Sequence, residues 1–196
     1  MMQLQATSRI AVVLLATAFL CSCVSTRPSG SPVAPLTSTT IVETTQQLRE
    51  RRVRFHGMRS LMRVRATTNG KTQSFRAQLA VHDAQRMELI AYTPVGTTAM
   101  TMKANGNSIT TDPEVAPASF NFLRATGLTP AETGMLLLGI PPRDDVWVEI
   151  APGGISAATA GAIVVRYEPP SFPAKSVVIT RGDDRIEIEH LEVVSE

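Results

Sequence analysis

From Met58 onward, apolar and polar residues alternate with a period of two through most of this chain. Met58, Ser60, Met62, Val64 and Ala66 fall on one side of the first run, with Arg59, Arg63 and Arg65 on the other. The pattern recurs at Phe75, Ala77, Leu79 and Val81, at Met87, Leu89 and Ala91, and at Met100, Met102 and Ala104. Successive side chains of an extended chain point to opposite faces, so each run predicts a strand buried on one side and wet on the other. Asn69-Gly70 and Asn105-Gly106 supply tight-turn chemistry between runs. The chain is thereby committed to consecutive antiparallel strands that share one apolar face.

Two segments depart from that period. Residues 41–52 read as a helix ahead of the first strand. Between Pro117 and Gly139, Phe120 and Leu123 offer one helical face, and Thr129-Pro130-Ala131-Glu132 supplies an N-cap, a proline at the first helical position and a capping-box glutamate. Met135, Leu136, Leu137 and Leu138 follow and are stopped by Gly139 and Pro141. Strands resume at Val146 to Ile150, Ile163 to Glu168, Ser176 to Thr180 and Arg185 to Glu192, with turns at Pro152-Gly153-Gly154 and Gly182-Asp183. The expectation is an α+β domain, one curved antiparallel sheet with a helical insertion on its concave face.

The amino terminus carries a different signal. Arg9 to Cys23 is a short apolar run behind one positive charge, too short to span a bilayer comfortably and followed by a Ser/Thr/Pro-rich stretch. Leu20 and Ser22 place a branched apolar and a small residue before Cys23, the pattern of a lipoprotein signal. Cys21 is preceded by bulky Leu20 and fits less well. The reading is a signal peptide over 1–22, an acyl anchor on Cys23, a flexible linker over 23–40 and one domain over 41–196; an ordinary secretory signal cut in the same stretch is the alternative. If Cys23 becomes a thioether and Cys21 leaves with the signal, no thiol remains for a disulfide, a metal or catalysis. Val24, which is not acidic, points to the periplasmic face of an outer membrane.

Charge is nearly balanced, 19 Lys and Arg against 17 Asp and Glu over 196 residues, which argues against nucleic acid as a partner. Arg49, Arg51, Arg52, Arg54, Arg59, Arg63 and Arg65 cluster near the start of the domain. They read as a solvated face or as an attraction to anionic head groups or an acidic partner. No nucleophile elbow, phosphate loop or zinc-protease motif is present, and no enzyme, cofactor or metal is expected. His56, His82 and His190 read as isolated surface or edge residues. Alternation puts Glu189 and His190 on opposite faces, which is poor for one metal site.

The loop Tyr92-Thr93-Pro94-Val95-Gly96-Thr97-Thr98 holds a valine between Pro and Gly. It is either a hairpin tip that packs back on its neighbours or an exposed apolar probe. Met62, Met87, Met100, Met102 and Met135 either fill a core or line an adaptable apolar cavity.

These residues resemble a known family, the LolA/LolB lipoprotein-localisation factors, and within it the outer-membrane receptors. The resemblance runs through Arg86-Met87-Glu88-Leu89, Pro94-Val95-Gly96, Met100 and Met102, Leu123, Thr126-Gly127-Leu128, Leu136-Leu137-Leu138-Gly139-Ile140-Pro141 and Phe172-Pro173-Ala174, about residues 45 to 192. It implies a half-open β-barrel closed by a helical lid, with an apolar cavity for the acyl chains of another lipoprotein. On the sheet that cavity would be lined by Met62, Phe75, Leu79, Met87, Leu89, Met100 and Met102. On the insertion it would be lined by Phe120, Leu123, Met135, Leu136 and Leu137. Val95, with Pro94 and Gly96, would stand where such receptors carry an exposed Leu that delivers cargo into the membrane.

The implied function is that of a monomeric, lipid-anchored acceptor. It takes acylated lipoproteins from a LolA-like periplasmic carrier and releases them into outer-membrane lipid. The alternative is a lipid-binding or envelope-scaffold lipoprotein of the same fold that does not traffic lipoproteins.

Overall fold

The computed structural model describes residues 28–68, 70–114 and 126–196. Cys23, the signal segment, Phe120 and Leu123 lie outside the described residues.

Eleven strands form one antiparallel sheet: β1 (Ser31–Pro32), β2 (Met58–Thr68), β3 (Lys71–Val81), β4 (Arg86–Tyr92), β5 (Thr98–Asn105), β6 (Ser108–Asp112), β7 (Trp147–Ala151), β8 (Gly154–Ala160), β9 (Ile163–Tyr167), β10 (Ser176–Arg181) and β11 (Asp184–Ser195). The order across the sheet is β6-β5-β4-β3-β2-β11-β10-β9-β8-β7, so the only non-sequential joins are made by β11. The sheet is therefore two meanders stitched together where the last strand returns beside the first long one. Two helices, α1 (Ile41–Val53) and α2 (Pro130–Leu137), complete the described elements.

Register explains the core. Val64 lies opposite Phe75 and Ile188, Ile188 opposite Val177, and Val177 opposite Tyr167. On the same face Leu79 lies between Ser60 and Leu89, and Leu89 faces Met102. These cross-strand rows bury one continuous inner face, each fully buried Leu, Val or Met contributing about 1.5–3 kcal/mol. α2 packs against β3, β4 and β5 on that face, and α1 packs near β7.

Local chemistry sets both helices. Thr40 caps α1 by accepting from the Glu43 amide, 3.2 Å, and Arg51 and Arg52 sit in its last turn, where the carbonyl end favours cations. The α2 capping box is realised as the sequence spells it: Thr129 accepts from the Glu132 amide, 3.1 Å, and the Glu132 carboxylate accepts from the Thr129 amide, 2.9 Å.

Three sequence expectations are altered. Two strands were not foreseen, β8 and β6, because Gly154–Ala160 is made of small residues and Ser108–Asp112 is mostly polar. The described part of the expected flexible linker is tied down. Ser31 and Pro32 pair with Ser195 and Val194, the Val33 amide donates to the Val193 carbonyl at 3.1 Å, and the Leu36 amide donates to that of Phe172 at 3.1 Å. The segment fills the flank of β11 that β10, ending opposite Glu189, leaves open. The bulge between His190 and Glu192 adds one residue to β11 there.

Candidate functional site

The loop between β4 and β5 is a braced tip. The Thr93 amide donates to the Thr97 carbonyl at 2.8 Å, the Gly96 amide donates to the Thr93 carbonyl at 2.9 Å, and the two threonine hydroxyls bond at 2.7 Å. Gly96 adopts φ +88°, a left-handed conformation that a side chain would strain. Held this way, Val95 is 86% exposed, with Pro94 and Gly96 exposed beside it. The tip does not pack back on its neighbours. It lies at the end of the sheet away from β1, because Ser31 is level with Met58, Val81 and Met87, and Tyr92 is five residues further along β4.

The residues named for an acyl cavity divide by depth. Met62, Leu79, Met87, Met102, Met135 and Leu136 are all at or below 5% exposure and belong to one packed cluster. Phe75, Leu89 and Leu137 pack against it partly buried, and Met100 is half-buried. α2 sits close on the sheet: a Cβ added to Gly134 would meet Val81 Cγ2 at 2.7 Å. In this arrangement the methionines fill space under the helix.

Both ends of α2 are fastened to the sheet side. Thr129 Oγ1 donates to the Ala84 carbonyl at 3.1 Å, and Glu132 pairs with Arg143 at 3.2 Å. At the other end, carbonyls that a helix leaves without internal donors are met from the sheet side. Tyr167 Oη donates to the Leu136 carbonyl at 2.6 Å, His190 Nε2 donates to that of Leu137 at 3.1 Å, and the Ala174 amide donates to that of Leu138 at 3.1 Å. Burial raises the Tyr167 hydroxyl well above its ordinary pKa, so it stays a donor. Burial lowers His190 to about 4, against the opposing effect of its bond to Leu137. The neutral ring, with its proton on Nε2, then accepts at Nδ1 from Ser60 Oγ, 2.7 Å away.

His190 is therefore not the surface or edge residue expected of it. Ile186, Ile188 and His190 share the inner face by alternation, and that pattern was the available signal. Glu189 does face outward, where it pairs with Arg63 at 2.6 Å. Among the described residues no group of His, Cys, Asp and Glu side chains converges as a metal site.

Three of the seven arginines of the cluster, Arg52, Arg59 and Arg63, are paired with carboxylates. Arg52 pairs with Asp144 at 2.8 Å and Arg59 with Glu196 at 2.6 Å, and Arg51 lies over the Phe172 ring at 5.5 Å. Among the described residues Arg49, Arg54 and Arg65 have no carboxylate partner.

A second feature was not foreseen at all, a cleft of about 410 Å³ between α1 and β7. Val148 and Ile150 give it apolar surface over the buried Leu48 and Val146, and the exposed Arg49 and Trp147 also line it. The alternation Val146-Val148-Ile150 and the Thr45-Leu48-Arg52 stripe of α1 both signal it, but only the fold brings them together. No described helix is long and apolar enough to cross a membrane.

Comparison with known proteins gives little beyond this. A family model described as a protein of unknown function (DUF3261) matches residues 59–128, less than half of the chain. No curated protein matches. Among solved structures, a LolA superfamily protein from Nitrosomonas europaea is similar at 9% identity and TM-score 0.46, over 78% of this chain and 94% of that one. A domain described as an outer membrane lipoprotein-sorting protein, from Vibrio parahaemolyticus, is similar at 9% identity and TM-score 0.40, over 80% and 94%.

Proposed function

We propose that this protein is a lipid-anchored acceptor of the bacterial envelope that takes the acyl chains of lipoproteins from a periplasmic carrier and passes them to the outer membrane. The observation that carries the proposal is Val95, 86% exposed on a hydrogen-bonded tip beside a sheet whose inner face is apolar apart from the Ser60–His190 pair. An apolar side chain held in water has no role in folding and gains by entering lipid or another apolar surface. Pro94 and Gly96 fix the tip, so little conformational entropy opposes that step.

On this reading α2 is the lid of a half-barrel, and cargo chains replace its contacts with Leu79, Val81 and Met87. Methionine is suited to such exchange because its unbranched, polarisable side chain repacks around different partners. Transfer needs no bond chemistry, only a succession of better apolar environments from carrier to acceptor to bilayer. An anchor on Cys23 would hold the β1 end of the sheet near the membrane, eight residues of chain reaching at most about 28 Å. Val95 then meets the same bilayer when the strands lie inclined to the membrane plane.

The close packing at Gly134 favours a second reading, a lipid-binding or scaffold lipoprotein whose inner face is never vacated. Depletion separates the two. Loss of an acceptor strands outer-membrane lipoproteins in the inner membrane or periplasm, and only a chain with Val95 intact restores them. Loss of a scaffold leaves their distribution unchanged, which would refute the acceptor reading.

A further inference from the structure

The α1–β7 cleft has the composition of a binding site for a charged amphiphile. Its volume, about 410 Å³, is within the range of small-molecule sites. Its apolar surface comes from the partly buried Val148 and Ile150, over a floor formed by Leu48, 1% exposed, and Val146, 9% exposed. Five charged groups line it, and four are already satisfied: Arg52 by Asp144 at 2.8 Å, and Arg143 by Asp145 at 3.4 Å. The fifth, Arg49, is exposed and has no carboxylate within the described residues. Trp147 also lines it, 54% exposed, at the start of edge strand β7 with its side chain on the face opposite Val148 and Ile150.

An apolar trough with one uncompensated guanidinium at its mouth fits a single acyl chain that ends in an anion. We propose that this cleft binds a single-chain amphiphile with a carboxylate or phosphate head, the chain lying against Val148 and Ile150 and the head on Arg49. A guanidinium pairs with either anion through two parallel N–H bonds, which a neutral head cannot reproduce. The site is separate from the Val95 tip and abuts the packed cluster, of which Leu48 and Val146 are members; it adds a ligand to the proposed function and does not depend on cargo transfer.

Trp147 is the only tryptophan in the chain, which makes it the reporter. The mature chain with Cys23→Ser is titrated, below the critical micelle concentration, with laurate, lauroyl lysophosphatidate and monolaurin. A saturable shift of Trp147 emission to shorter wavelength is expected with the two anionic ligands, at least tenfold weaker affinity with monolaurin, and the same tenfold loss in Arg49→Gln with its unfolding midpoint unchanged. Comparison of laurate with lysophosphatidate identifies the preferred head. No shift with either anion, equal affinity for monolaurin, or undiminished binding by Arg49→Gln would overturn the proposal. Val95→Glu is expected to bind normally, so undiminished lipoprotein delivery by that variant contradicts the acceptor reading alone.

Discussion

Val95 and His190 show what a single side chain tells at each side of this sheet. Val95 was legible because Pro94 and Gly96 dictate a tight turn, and a residue at its apex has nowhere to bury itself. Val95→Glu is expected to leave the unfolding midpoint within about 0.5 kcal/mol of wild type, as for surface changes generally. It should impair delivery of cargo to membranes while leaving uptake from the carrier near normal; fractionation of labelled cargo after transfer checks both. His190 was misread because its polarity was weighed above its register. Its folded pKa, about 4, lies below the ordinary 6.5, so the unfolded chain binds more protons between those values. Stability contributed by the neutral ring is therefore full above about pH 6.5 and falls as pH drops toward 4, by about 3 kcal/mol at most. Urea unfolding at pH 7.5 and pH 5 should show that loss in wild type and a smaller one in His190→Gln. Equal slopes would mean the ring is not buried neutral.

At the scale of the element, α2 is the best-specified part of the chain and the most tightly held. Its start was readable from Thr129-Pro130-Ala131-Glu132, since a capping box satisfies its own amides and needs no tertiary partner. Its far end was not readable, because Tyr167, Ala174 and His190 reach Leu136, Leu138 and Leu137 from about 30 residues or more along the chain. Tyr167→Phe removes one of these donors and leaves a buried carbonyl unmet, a cost of about 1–3 kcal/mol. Gly134→Val forces a side chain against Val81 and is expected to cost about 1–3 kcal/mol. Thermal unfolding of the two variants measures both. If α2 is a lid, each variant should also raise amide exchange across residues 130–138 relative to β2 and β3. The strands divide in the same way. β2 to β5 announce themselves by alternation of bulky apolar residues, whereas β8, made of Gly, Ser, Ala and Thr with one Ile, is a strand because β7 and β9 flank it.

Over the described residues the molecule is an open sheet with one largely apolar face, two helices on that side and an apolar tip at the end distant from β1. The sheet and its apolar face followed from the period-two pattern. The joining of two meanders through β11, the docked amino-terminal segment and the α1–β7 cleft did not, since each depends on long-range pairing that local periodicity does not encode. If the protein is an acceptor, this apolar architecture takes acyl chains from another protein. The most direct test mixes the mature chain, with Cys23→Ser, with a periplasmic carrier of the same bacterium loaded with an acylated lipoprotein, then separates the two proteins and locates the cargo. Cargo is expected to move onto this protein without nucleotide or any other energy source. Cargo that stays on the carrier while this protein remains folded would contradict it.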